Sequence, residues 1–219
     1  MSTTEEKKDD GRTVLLKRVR LSFTDSLKDK KRTSDESDKE SHGCNLLLEA
    51  SGKEFAANKA KVMSAIRAAC DVAWKKPEAW KDIAEESPKR VCFRKGERFK
   101  NREGAVYQGY DGNFAITAKG PSAGQKRPKL LDRHKREVAY GDIADVFYGG
   151  SYADAFVSFY GTDKGSRGIF ASIELIRSHQ EGDRMGNGAP DLDLGELEDL
   201  DDEDLMSTGS SESVDDDLL

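Results

Sequence analysis

The stretch SYADAFVSFY, residues 151–160, decides the fold class. Ala153, Ala155, Val157 and Phe159 alternate with Tyr152, Asp154, Phe156, Ser158 and Tyr160. Successive side chains of a β-strand point to opposite faces, so this spacing predicts a strand with one buried face and one outer face. Asp154 and Ser158 share the outer face with the three rings, which predicts that it is partly wet.

Strand signals recur on both sides of this segment. Residues 161–168 turn the chain, and IFASIELIR (169–177) reads as the final strand. FAITAK (114–119) alternates in the same way, and TVLLKRVRLSF (13–23) is rich in β-branched and apolar residues. CNLLLEA (44–50) is a short apolar run, and Ser51-Gly52 turns the chain after it. Residues 58–75 form the one strong helical pattern, with Val62, Ile66, Ala69, Val72 and Ala73 at helical spacing and Trp74 prolonging the stripe. Pro77 ends that helix or begins a short second one through Trp80 and Ile83. GPSAGQKR (120–127) must be a loop, because its glycines and Pro121 interrupt both regular structures. Five or so strands around a single internal helix predict a mainly β chain with one or two helices, arranged as a small five-stranded β-barrel.

Three segments fall outside that pattern. Residues 1–12 are polar and mixed in charge, which predicts a flexible arm rather than a signal peptide. KDKKRTSDESDKESHG (28–43) has no aliphatic residue and reads as a mobile loop within the domain of residues 13–185. Beyond it, residues 186–219 hold mainly acids, leucines, serines and glycines, the composition of a disordered tail.

The chain has 219 residues, 36% of them hydrophobic and 36% charged, so a core is sustained only if such polar stretches lie outside it. No apolar run approaches the ~20 residues of a membrane-spanning helix. Cys44, Cys70 and Cys92 are scattered, with neither a C-x-x-C pair nor an even framework, which points to a reduced, cytoplasmic setting without structural zinc. The net charge of −6 hides an asymmetry. Residues 181–219 carry 15 acids against the single Arg184, a local −14, so the preceding 180 residues are net +8. A basic body beside an acidic tail points toward nucleic acid or another polyanion as partner.

The charge is concentrated further in residues 87–136, where 14 Lys and Arg face four acids. Phe93, Phe99, Tyr107, Tyr110 and Phe114 are interleaved with them. Single-stranded nucleic acid requires cations that track phosphates and flat rings on which unstacked bases lie. Taken alone, the stretch is equally compatible with a solvated basic surface over aromatic core residues. The tail gives a second signal: Leu192, Leu194, Leu197, Leu200 and Leu205 sit among acids, and Leu218 and Leu219 follow three aspartates. Solubility alone does not require leucines so placed, and acids with apolar anchors suit docking to a partner.

Catalytic signals are poor. Gly120, Gly124 and Lys126 lack the spacing and the following Ser or Thr of a phosphate-binding loop. His42, His134 and His179 are far apart and read as surface histidines, and the tail acids have no EF-hand spacing. Neither a cofactor nor a metal is implied.

The order of several segments adds to this reading. RVRLSF (18–23), NFAITAK (113–119), RPKLLD (127–132), VFYGG (146–150) and GIFASIELI (168–176) follow one another along the chain. In this order they resemble the family of tailed-phage single-stranded DNA-binding proteins, over about residues 13–185. The resemblance implies an OB-like barrel, non-catalytic binding of single-stranded DNA in phage replication, recombination and repair, and residence in the host cytoplasm. On this reading Arg18, Arg20, Arg94, Lys95, Arg98, Lys100 and Arg102 neutralise phosphates, together with Lys119, Lys126, Arg127 and Lys129. Tyr107, Tyr110, Tyr152, Phe156 or Tyr160 stack bases. The acidic tail competes with DNA and engages replication proteins (a polymerase, helicase or primase), while homodimer formation stays open. Two alternatives remain at this point: an adaptor whose tail is the active part, and a DNA-processing enzyme.

Overall fold

The computed structural model describes residues 10–34, 37–165 and 167–186. The expected strands are present: β1 (Thr13–Ser22), β4 (Gly43–Leu48), β6 (Phe114–Lys119), β8 (Tyr152–Thr162) and β9 (Gly168–Gln180). β1 pairs antiparallel with both β4 and β8, β4 with β6, and β8 with β9. A parallel pairing of Ala118 with Ala171 and Lys119 with Ser172 joins β6 to β9 and closes the ring. This is the five-stranded OB-like barrel that the sequence predicts. Two short strands add to it: β5 (Phe93–Lys95) takes the other half of the β6 edge, and β7 (Lys129–Leu131) runs parallel to β9.

The period-two reading of β8 holds for its inner face. Ala153, Ala155, Val157 and Phe159 are buried inside the barrel with Leu16, Val19, Leu46, Ile116 and Ile173. Asp154 departs from the expected wet face, because its carboxylate is buried against Arg177 and His179 and accepts the Arg18 backbone N–H at 2.9 Å. Asn45 and Leu47 alternate with the barrel-facing Leu46 and Leu48, yet every residue of β4 is buried. The reason is a second small core outside the barrel, in which Leu47 packs with Phe99, Tyr110, Ala115 and Met185. A strand covered on both faces reads as an unbroken apolar run rather than an alternating one.

α2 (Phe55–Trp74) is the expected long helix, and α3 (Ala79–Glu86) follows it. The buried stripe is Val62, Ala65, Ile66, Ala69 and Cys70, at i, i+3, i+4 spacing. Val72 and Ala73 were expected on it and share its face, but the buried part of the stripe ends at Cys70 and both lie exposed. Near the helix start, Asn58 bonds both the N–H and the C=O of Lys17, at 3.1 and 2.7 Å. It thereby satisfies backbone freed by a bulge between Leu16 and Val19. At the other end Trp74 packs so closely on Gly161 that a Cβ there would stand 2.7 Å from the indole.

The segment expected as a mobile loop holds regular structure instead. After α1 (Asp25–Lys28), β2 (Lys31–Ser34) and β3 (Ser37–Ser41) pair as an antiparallel hairpin. His42, expected at the surface, is buried with its Nδ1 2.9 Å from the Ser26 carbonyl, and the Ser26 hydroxyl donates to Gly43 O at 2.7 Å. These two bonds tie the base of the hairpin to the barrel. His134 and His179 are exposed. A last helical turn, α4 (Ile143–Val146), precedes β8.

Candidate nucleic-acid interface

A groove of about 470 Å³ runs between the hairpin and the outer face of the barrel. Its floor is Gly43, Cys44 and Asn45 of β4 with Thr117, Ala118 and Lys119 of β6. One wall is Phe23, Asp25, Ser26, Lys31 and Arg32, and the other is Arg94, Phe99 and Tyr107. The floor is close-packed: a Cβ on Gly43 would stand 2.5 Å from Ala118 O. Gly96 admits no side chain either, because the Tyr110 carbonyl occupies that place at 1.7 Å, and the turn it permits carries Phe99 to the wall.

Two rings are presented to solvent. Phe23 is 50% exposed and Tyr107 36% exposed, and they meet edge to face with centroids 4.9 Å apart. Phe23 has φ +53°, a left-handed conformation that costs an ordinary L residue about 1–2 kcal/mol. A bulky residue held there by its surroundings is a recurrent feature of binding sites. Tyr110 corrects the sequence expectation. It is fully buried, its hydroxyl accepts from Asn45 Nδ2 at 2.8 Å, and its ring lies under Phe99, Tyr107 and Phe23. Tyr110 therefore supports the exposed rings and cannot itself receive a base.

The groove is cationic. Among the described residues, Lys31, Arg32, Arg94 and Lys119 line it against the single acid Asp25, which lies 3.6 Å from Lys31. The Arg94 guanidinium sits 4.2 Å from the Phe99 ring centroid and donates to Thr117 Oγ1 at 3.3 Å. Its Nε is buried without a hydrogen-bond partner among the described residues. Burial, and the neighbouring charge of Arg98, push the Arg94 pKa below the ordinary guanidinium value, although the group stays charged. An unpaired buried donor is costly in the free protein and well suited to an anion. Burial also pushes the Cys44 and Cys92 thiols up to about 12, so neither is a thiolate at neutral pH. Among the described residues, no three His, Cys, Asp or Glu side chains gather as a metal site. Among the same residues, no helix is long and apolar enough to cross a membrane.

Of the residues expected from sequence, the groove brings together Arg94, Tyr107 and Lys119. Lys95, Arg98, Lys100 and Arg102 are exposed and flank Arg94 and Phe99 along the chain. Lys126 is exposed in the loop after β6, and Lys129 is exposed on β7, away from the groove lining. Arg127 instead reaches the Lys28 carbonyl at 2.5 Å. Arg20 is spent on the fold, bonding Glu49, Gly150 O and Asp183 O. Arg18 stacks 4.3 Å from the Tyr152 ring centroid, and the Tyr152 hydroxyl donates to Glu49. Phe156 is exposed and Tyr160 packs beside Phe170, but none of the three β8 rings lines the groove. Sequence reasoning missed Phe23, Lys31, Arg32 and Phe99 as site residues. The signal for the first three was the nearness of an aromatic strand end to the basic run KDKKR. The tail leucines 192, 194, 197, 200, 205, 218 and 219 lie outside the described residues.

Comparison with known proteins bears on the family and the fold. The family model described as the Enterobacter phage Enc34 ssDNA-binding protein matches residues 12–206. The fold resembles that of the single-stranded DNA-binding protein from bacteriophage Enc34 in complex with ssDNA, with a TM-score of 0.62 at 16% identity, covering 80% of this chain and 90% of that one. A second structure of the Enc34 protein gives 0.61 at 16% identity, over 84% and 89% of the two chains. Protein p50 of Acyrthosiphon pisum secondary endosymbiont phage 1 is 31% identical over 121 residues, which is 52% of this chain. The chain spans 59% of the length of that curated relative.

Proposed function

Since this chain belongs to the Enterobacter phage Enc34 ssDNA-binding protein family, we propose that it binds single-stranded DNA, without catalysis, in the groove between the hairpin and β4/β6. The observation that carries the reading is that Arg94, whose Nε has no partner among the described residues, lines the same groove as the exposed rings of Tyr107 and Phe23. Phosphates pair with Arg94, Lys31, Arg32 and Lys119, while bases lie against Phe23 and Tyr107, each stack contributing about 1–3 kcal/mol. Such a site serves a phage wherever single strands are exposed, in replication, recombination and repair.

The same reading extends to the acidic segment. Gly186 donates its N–H to Gln108 Oε1 at 3.4 Å, and Met185 packs against Gly109, so the last described residues are held at the 108–109 turn. Its carboxylates compete with phosphates for the groove, and DNA releases its leucines to a polymerase, helicase or primase of the host cytoplasm or of the phage itself. The test is a binding series with single- and double-stranded oligonucleotides across salt concentrations. Four groove cations predict that log affinity for single strands falls with log salt at a slope of about −3, from ~0.7 per phosphate neutralised. A flat response overturns the groove, and a body that binds neither form leaves the adaptor.

A further inference from the structure

Outside the groove, two more rings among the described residues are exposed, Phe156 and Tyr140, and Tyr140 is the one with cations against it. Tyr140, in the turn before α4, is 53% exposed, more than any other large apolar side chain among the described residues. Two cations stand against its ring: Lys28 Nζ is 4.9 Å from the centroid and the Arg127 guanidinium carbon 5.3 Å. Its hydroxyl donates to the Asp29 carboxylate at 2.8 Å. Arg127 is itself fixed by its bond to the Lys28 carbonyl, and Lys28 Nζ reaches Gly141 O at 3.4 Å. The ring, the two cations and the tether thus form one assembly built from three separate parts of the chain.

Its position is informative. Asp25, Ser26, Lys31 and Arg32 all line the groove, and Lys28 and Asp29 lie between them in sequence. The segment that makes the groove wall therefore also carries the contacts to Tyr140 on its way past. A residue placed for stability buries its ring. This one is held with half its surface in solvent, beside two cations, Lys28 and Arg127, with Asp29 as its carboxylate partner among the described residues.

We propose that Tyr140, with Lys28 and Arg127, is a second stacking and phosphate-binding subsite, on which a single strand long enough to leave the groove past residues 28–32 places a further nucleotide. The proposal rests on the groove reading given above. It makes the length of strand that the protein protects larger than the groove alone accommodates, and it separates two classes of ligand, short oligomers held in the groove and longer ones that also reach Tyr140.

The test uses the full chain and two thymidine oligonucleotides, of about 5 and about 15 nucleotides, within the span of ~4–16 nucleotides that one OB fold covers. Tyr140→Ala should lose roughly tenfold in affinity for the longer strand, as expected for one lost stack, and stay within about twofold for the shorter one. Tyr140→Phe keeps the ring and drops the Asp29 tether, so it should bind both strands as the parent does. Arg127→Gln should weaken only the longer strand and lower its salt slope by about 0.7. Equal losses on both lengths, no loss on either, or Tyr140→Phe failing like Tyr140→Ala overturns the subsite. Tyr107→Ala serves as the separate control. If it leaves both strands unaffected, the groove reading has failed on its own account.

Discussion

Phe23 and Tyr107 meet at 86° between ring planes, 4.9 Å apart, although they reach the groove from segments more than eighty residues apart in the chain. The contact draws the wall after β1 to the wall after β5, and the buried Tyr110 lies 6.3 and 6.0 Å from the two rings. Edge-to-face pairs add about 0.5–1.5 kcal/mol beyond their burial. Here that gain helps hold Phe23 in its left-handed backbone conformation.

The strain at Phe23 is separable from its stacking. Phe23→Gly and Phe23→Ala both remove the ring and should both weaken single-strand binding, by about 1–3 kcal/mol. Glycine adopts a positive φ freely, so Phe23→Gly should be about 1 kcal/mol more stable than Phe23→Ala in denaturant titrations. Equal stabilities would mean that the backbone at position 23 is unstrained.

Tyr107 and Tyr110 should divide cleanly. Tyr107→Ala should lose DNA affinity with little change in stability. Tyr110→Ala should cost roughly 3–5 kcal/mol of stability, as large aromatic deletions do in cores. Tyr110→Phe should cost about 1–3 kcal/mol, because Asn45 Nδ2 is left buried without its acceptor. Melting curves beside binding isotherms for the three variants decide this; a stable Tyr110→Ala with weakened binding contradicts the assignment.

Arg94 gives the opposite pairing of effects. Arg94→Met removes a buried cation whose Nε has no partner among the described residues, so stability should hold or rise slightly. Affinity for single strands should fall, and the salt slope should shrink by about 0.7. A large drop in melting temperature would show that Arg94 serves the fold instead.

How much of this was legible depended on what each residue faces. β8 could be read because one of its faces is core and the other is not, so period two survives in the sequence. β4 read as a strand from its apolar run, but nothing local shows that Leu47 is covered by Tyr110 and Phe99, which arrive more than fifty residues later. The β2–β3 hairpin was hidden because it is polar throughout and is held by backbone pairing and by Ser26 and His42. Charge located the basic wall of the site. Phe23 was missed because, read locally, it merely completes an apolar strand. Tyr107 and Tyr110 have like surroundings in sequence, and only the tertiary fold makes one a platform and the other its support.

Asp154 sets an acid limit to stability. Burial alone would raise its pKa, but the Arg177 ion pair, the Arg18 N–H and the charge of His179 outweigh burial and hold the carboxyl below the usual carboxylate range. A carboxyl depressed in the folded state adds stability that is complete above its unfolded value, about 3.9. That stability is lost as pH falls through the folded value. The melting temperature should therefore drop as pH is lowered below about 4, and Asp154→Asn should flatten that part of the profile while being less stable at pH 7. An unchanged acid limb in Asp154→Asn would move the effect to another carboxylate.

The acidic segment can be tested through the point where it begins. The Tyr148 hydroxyl bonds both the C=O and the N–H of Gly182, the Met185 N–H donates to Gly149 O, and Arg20 donates to Asp183 O, so residues 182–186 are fastened to the rest of the domain as far as Gln108. On the function proposed above, the 13 acids beyond residue 186 are a competitor for the groove carried on the same chain, and such tethering raises effective concentration toward the millimolar range. Carboxylates imitate phosphates but offer no base to stack, so they should compete weakly and yield to long strands. Truncation at Pro190 should tighten single-strand binding most at low salt, where screening over about 10 Å or less no longer masks the competition. The gain should vanish as salt rises toward ~1 M, where the screening length is about 3 Å. Equal affinities of the truncated and full chains at low salt would remove the competition and leave the segment a docking or solubility role.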